Sequence, residues 1–141
     1  AVACSIAVAL VWILSRNPPE DNSNTGPLRV TKVVRARRGL LGDGRKLTPN
    51  SPDRDVVVVL KINGFPGVRG SVMEWSDKSY IMAGKERRVF NSMIGVEGDI
   101  PFWIGSVIPI EAETLTLHLH GLEPLTIELP RTIVDEAKMY P

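Results

Sequence analysis

The sequence predicts an all-β body, an antiparallel β-sandwich, carried behind a single N-terminal transmembrane helix. Three observations predict it. Residues 1–14, AVACSIAVALVWIL, carry no charge and no amphipathic spacing, and a helix that is apolar all round is buried in protein or lipid. Residues 17–27, NPPEDNSNTGP, bring Pro, Asn, Ser and Gly in quick succession and resist both helix and strand. From residue 28 onward, apolar residues recur at period two in short runs divided by turn chemistry, and no amphipathic helix interrupts them.

Composition bounds the function. A chain of 141 residues suits one domain plus an appendage. Apolar residues at 43% and charged residues at 23% are globular values. The net charge of +1 lacks the basic excess of a nucleic-acid binder, so no nucleic acid is expected as a partner. Cys4 is the one cysteine, which excludes an intrachain disulfide and a cysteine-based zinc site. The two histidines are too few for a histidine-rich metal site, and no cofactor is expected.

The opening segment is read as residues 1–16 of a span. Fourteen uncharged residues rise about 21 Å, short of the roughly 30 Å hydrocarbon core, so the segment is expected to complete a longer span. Trp12 and Arg16 close it as interfacial anchors, an amphipathic ring at headgroup depth followed by a snorkelling cation. A cleaved signal fits poorly, because no small-residue cleavage site follows Leu14. AVAC has a lipoprotein look, yet a lipidated cysteine normally starts a polar tether, and SIAVALVWIL follows here. Cys4 is therefore expected to be a small apolar residue within the span. Glu20 and Asp21 follow Arg16, so the positive-inside bias does not draw this flank into the cytoplasm. The body is expected to be periplasmic or otherwise extracytoplasmic. The linker over residues 17–27 spans at most about 36 Å, which keeps the body near the bilayer.

The body is expected over residues 28–130. In its first strand Leu28, Val30, Val34 and Ala36 point one way, and Arg29, Thr31, Val33, Arg35 and Arg37 the other. DVVVVLKI, residues 55–62, is a β-branched run suited to a central strand buried on both faces. SVMEW and KSYIMA are read as strands around a turn at Ser76 and Asp77, and RRVFNSMIGV as a less regular stretch. FWIGSVIPI is extended and ends at Glu111 and Ala112. TLTLHLH places Leu115, Leu117 and Leu119 inside, and LTIEL does the same for Leu125, Ile127 and Leu129, with GLEP as the turn. Pairing Leu119 with Leu125 sets His118 opposite Thr126 and diagonal to Glu128. About seven such strands make a sandwich. Residues 131–141 form a tail whose Ile133, Val134, Met139 and Tyr140 cover the sandwich or dock on a neighbour.

DVVVVLKING, the later WSDKSYIM and the ending VIPIEAETLTLHLHGLEPLTIELP resemble small immunoglobulin-like domains anchored to bacterial membranes. Many of those finish with an extended P-x-x-A-x-x-L-x-L strand and a hairpin. The resemblance covers roughly residues 27–130 and departs from antibody-type domains in lacking a cysteine pair. It implies a fold and an extracytoplasmic habit, and no activity, since such sandwiches host many unrelated roles.

Candidate chemistry is sparse. GLLGDGRKL, residues 39–47, lacks the Gly-Lys-Ser/Thr and following helix of a phosphate loop and reads as a connection between strands. His118, His120 and Glu128 share an outer face and are the candidate metal ligands, two nitrogens and a carboxylate; a solvated polar sheet surface is the competing reading. Asp43, Asp53 and Asp55 border one long loop without EF-hand spacing. Arg29, Lys32, Arg35, Arg37, Arg38, Arg45 and Lys46 cluster, as do Lys85, Arg87 and Arg88. They read as a solvated face that blocks edge aggregation, or as a contact for anionic headgroups or an acidic protein. Phe102 and Trp103 are adjacent and must point to opposite faces, so one fills the core and the other is either folded back over the core or an interface anchor.

These observations favour a non-catalytic accessory subunit of a membrane complex, of the respiratory or photosynthetic kind, bracing its neighbours on the outer face. Its expected partners are integral membrane subunits and membrane lipid, and its expected contacts Trp12, Arg16, Arg35, Arg37, Arg38, Phe102 and Trp103. The alternative is a free-standing anchored module that binds a peptide, glycan or envelope component.

Overall fold

A computed structural model of the chain describes residues 24–140. The expected span over residues 1–16, with Cys4, Trp12 and Arg16, lies outside the described residues. Among the described residues no helix is long and apolar enough to cross a membrane.

The body is all-β, as expected. Its elements run β1 (Arg29–Leu40), β2 (Lys46–Leu47), β3 (Asp55–Asn63), α1 (Val72–Asp77), β4 (Tyr80–Ala83), β5 (Glu86–Arg88), β6 (Ser92–Ile94), β7 (Phe102–Pro109), β8 (Thr114–His118), β9 (Leu125–Glu128) and β10 (Ile133–Lys138). One sheet has the order β10-β1-β3-β7-β6, with β2 also on β1; the other has the order β5-β4-β8-β9. All pairings are antiparallel except β1 with β10, which is parallel.

β3 takes the central place that its β-branched run requires. Val56, Val58, Leu60 and Ile62 enter the core between the sheets, where they join Phe102, Ile104, Ile81, Leu115, Leu117 and Ile127. Val57 and Val59 face a second, smaller core on the outer side of the larger sheet, with Ala36, Trp103, Ala137 and Met139. A strand with apolar side chains on both faces has no solvated side to present, which forces it to the middle of the sheet.

β1 departs from its expected faces. Val30 pairs with Ile62 but Lys32 pairs with Lys61, so Thr31 is an extra residue, a β-bulge. Each inserted residue inverts the alternation beyond it. Val30 and Val33 therefore pack on the inter-sheet core, while Val34 and Ala36 face the outer core. The Thr31 hydroxyl lies 2.5 Å from Asn63 Oδ1, beside the bulge.

Two further expectations change. SVMEW is not a strand: α1 occupies it, capped by Ser71, whose Oγ accepts from Glu74 N–H at 3.3 Å. The segment after Pro130 is not a tail: β10 pairs with β1 through Arg35↔Ile133 to Leu40↔Lys138. Met139 then turns over the outer face, where a Cβ at Gly105 would sit 2.5 Å from its Sδ. Gly105 leaves the room that Met139 fills.

Candidate functional site

The strand registers define two ends. At one, β1 begins, β3 ends, β6 ends and β7 begins, since Arg29 lies opposite Asn63, Ile62 opposite Phe102 and Ile94 opposite Trp103. Here the chain enters the fold, and we call it the tether end. At the far end β3 begins opposite the close of β7, with Asp55 against Pro109.

Asn24 organises the tether end. Its Nδ2 donates to Phe65 O at 2.5 Å and Gly98 O at 2.7 Å, and its Oδ1 accepts from Gly64 N–H at 2.8 Å and Phe65 N–H at 3.2 Å. An asparagine side chain has two donors and one carbonyl acceptor, and all are used in bonds to segments 40 or more residues away. The fold thus begins by Asn24, within the stretch read as linker. Gly64 supports the clamp with φ of +81° and a Cβ position 2.2 Å from Pro27 O, so only glycine fits there. The sequence carries no local signal for this role, because asparagine is also an ordinary linker residue.

The arginine cluster of β1 is split. Arg35, just 7% exposed, points between the sheets. Its guanidinium donates to Pro130 O at 3.2 Å and to Ile110 O, and so ties the β9–β10 connection to the end of β7. Arg37 is exposed at the far end, beside a small apolar recess lined by Pro49, Pro52, Val56, Ile110 and Ile133. Arg38 faces the other side and pairs with Asp135 at 2.7 Å and Glu136 at 3.0 Å, both supplied by β10. Arg35 is thus committed inside the fold and Arg38 to a surface ion pair, which leaves Arg37 as the most exposed of the three. Replacing Arg35 with methionine strands two carbonyls, and the expected loss of stability is about 2 kcal/mol in urea unfolding. The lysine variant, which keeps one donor group in reach, should lose less.

The metal candidates are not brought together. β8 and β9 pair as Leu117↔Leu125 and Thr114↔Glu128, two residues off the expected register. His118 consequently stands four residues along β8 from the position opposite Glu128, roughly 13 Å at the strand rise. Its ring stacks on Tyr80 with centroids 4.4 Å apart, and Arg87 covers Tyr80 at 4.0 Å. His120 lies beyond β8, and its backbone serves α1: its carbonyl accepts from Trp75 Nε1 at 3.3 Å and its N–H donates to Ser79 Oγ at 3.0 Å. Among the described residues no group of three metal-ligating side chains is assembled.

Two of the three aspartates that border the long loop, Asp43 and Asp55, serve arginines. Residues 39–47 form the β1–β2 hairpin, as the strand-connection reading requires. Within it the Arg45 N–H, at 3.0 Å, and then the Arg45 guanidinium, at 2.6 Å, hold Asp43 below the usual carboxylate range. A depressed carboxylate stabilises the fold above its unfolded value, and that contribution is lost as pH falls through the folded value. Asp55 accepts from Arg88 at 3.4 Å.

Phe102 and Trp103 do point to opposite faces, and both are buried, at 0% and 1% exposure. Phe102 stacks on Phe65 with centroids 4.4 Å apart. Trp103 enters the outer core with Lys32 Nζ and Lys61 Nζ each 5.6 Å from its ring. Its Nε1 meets no hydrogen-bond partner among the described residues. Neither ring stands out as an interface anchor, because the larger sheet has an apolar core on each side.

The far end also carries an open cleft of roughly 540 Å³, bounded by Arg35, Glu111, Glu113, Glu128 and Arg131. No protein-family model and no curated protein matches the chain.

Proposed function

We propose that this chain is a non-catalytic accessory subunit of a membrane protein complex. In this reading residues 1–16 form one transmembrane helix, and an immunoglobulin-like sandwich stands on the extracytoplasmic side and braces integral membrane subunits. The observation that carries it is the Asn24 clamp. Four hydrogen bonds join the preceding chain to two loops of the sandwich. A clamp at Asn24 leaves seven residues, 17–23, between the body and the expected span, fewer than the eleven of the linker read from the sequence, and so confines the body more closely, as a brace requires.

Affinity purification of the full chain in mild detergent tests this. Stoichiometric recovery of integral membrane proteins is expected, whereas a monodisperse monomer with no companion rules the subunit reading out. The far-end cleft supports the second reading, a free-standing anchored binding module. Its mixed lining of Arg35, Arg131 and three glutamates suits a ligand that carries both charges, such as a peptide.

A further inference from the structure

We propose that the tether end of the sandwich seats in the membrane interface, with Met73 and Ile100 as the side chains that enter the lipid. The inference rests on the anchored reading of residues 1–16. Among the described residues five large apolar side chains are exposed: Val72 at 40%, Met73 at 78%, Val89 at 65%, Ile100 at 44% and Val134 at 39%. Single exposed apolar residues are ordinary. What distinguishes Val72, Met73 and Ile100 is that all three belong to the segments that leave the tether end.

Those segments form one surface. The Val68 N–H donates to Val96 O at 2.8 Å, and Gly67 and Gly98 are in backbone contact, with the Cβ position of Gly98 2.7 Å from Gly67 N. Asn24 bonds to both loops. α1 continues directly from the first loop, buries Trp75 and leaves Met73 on its solvent side.

Chain length sets the distance to the bilayer. Seven residues, 17–23, separate Arg16 from Asn24, and they reach at most about 25 Å. The surface that carries Met73 is thereby confined near the site where the uncharged segment ends, at a high effective concentration of lipid. Apolar side chains gain from burial at the headgroup and acyl boundary without spanning it. Glu74, Glu97 and Asp99 are exposed around them, with Arg69 as a cation on the same loops. Arg37, Arg45 and Lys46 lie at the far end, whereas Arg29 and Lys32 stand at or next to the tether end.

Site-directed fluorescence on the full chain tests the seat. In a Cys4→Ser background, Met73→Cys, Ile100→Cys and Lys85→Cys are each labelled with an environment-sensitive dye, reconstituted in phosphatidylcholine vesicles and floated on a density gradient. Lys85 follows Gly84 in the exposed β4–β5 turn, away from the tether end. All three should float. Brominated phosphatidylcholine should quench positions 73 and 100 roughly twofold and leave position 85 unchanged. Flotation with equal quenching at all three positions overturns the seat while the anchored reading stands. A blue-shifted dye at position 73 without bromine quenching overturns it too, because the contact is then with protein. Failure to float overturns the anchored reading and the seat together.

Discussion

Replacing Trp75 with alanine lowers the unfolding free energy by about 3–5 kcal/mol, the expected cost of emptying a large aromatic site that cannot collapse. α1 carries the chain from the larger sheet to the smaller one, between β3 and β4. At six residues it is too short to hold itself as a helix in water. Trp75 holds it: its ring meets Phe65 edge-on at 5.6 Å, Phe102 at 5.9 Å and Phe90 at 6.2 Å, and its Nε1 bonds to His120 O. Loss of the indole removes both the aromatic contacts and the only large side chain that α1 buries. Trp75→Phe, which keeps a ring and loses the hydrogen bond, should cost about 1–2 kcal/mol. Urea unfolding followed by circular dichroism checks both, and a loss below about 1 kcal/mol for Trp75→Ala means that α1 does not close this end.

Gly64→Ala has the second-largest expected effect, about 3 kcal/mol or more. Two costs add. The left-handed backbone, at φ of +81°, is strained by about 1–2 kcal/mol for an L side chain. The new Cβ would also stand 2.2 Å from Pro27 O and 2.5 Å from Pro27 C, both backbone atoms that cannot swing aside as a side chain can. Moving residues 27–28 pulls at the clamp, because the Gly64 N–H itself donates to Asn24 Oδ1. Gly121→Ala separates the two costs: its φ is +83°, but nothing lies within 4 Å of the Cβ position. The difference between the two variants in chemical unfolding measures the backbone contact alone. Equal losses would show that the approach of residue 27 contributes nothing.

Both predictions concern the tether end, the part of the molecule least legible from residue order. The clamp joins Asn24 to residues 40 and 74 positions away, and a bond at that separation leaves no periodic trace. α1 was legible in principle. Ser71-Val72-Met73-Glu74 has the spacing of a capping box, and the observed Ser71 cap uses it. The segment reads as a strand all the same, because a six-residue helix spans too few turns to establish a period. The candidate metal site failed for another reason. Three polar residues on one face of a hairpin meet only in the right register, and a two-residue slip along β8 moves Glu128 beyond reach of His118.

The sequence by itself determined the all-β class, the central position of β3 and the inward faces of Leu115, Leu117 and Ile127. Those follow from side-chain chemistry and a period of two, which act within a few residues. Tertiary structure decided the sign of β1 beyond Thr31, the register of β8 against β9, the recruitment of residues 133–138 as β10 and the fate of the arginines. Each depends on which distant partner supplies the opposing atoms. A bulge costs one residue and inverts every face after it. An arginine looks the same in the sequence whether its guanidinium ends in solvent, as at Arg37, or on two half-buried backbone carbonyls, as at Arg35.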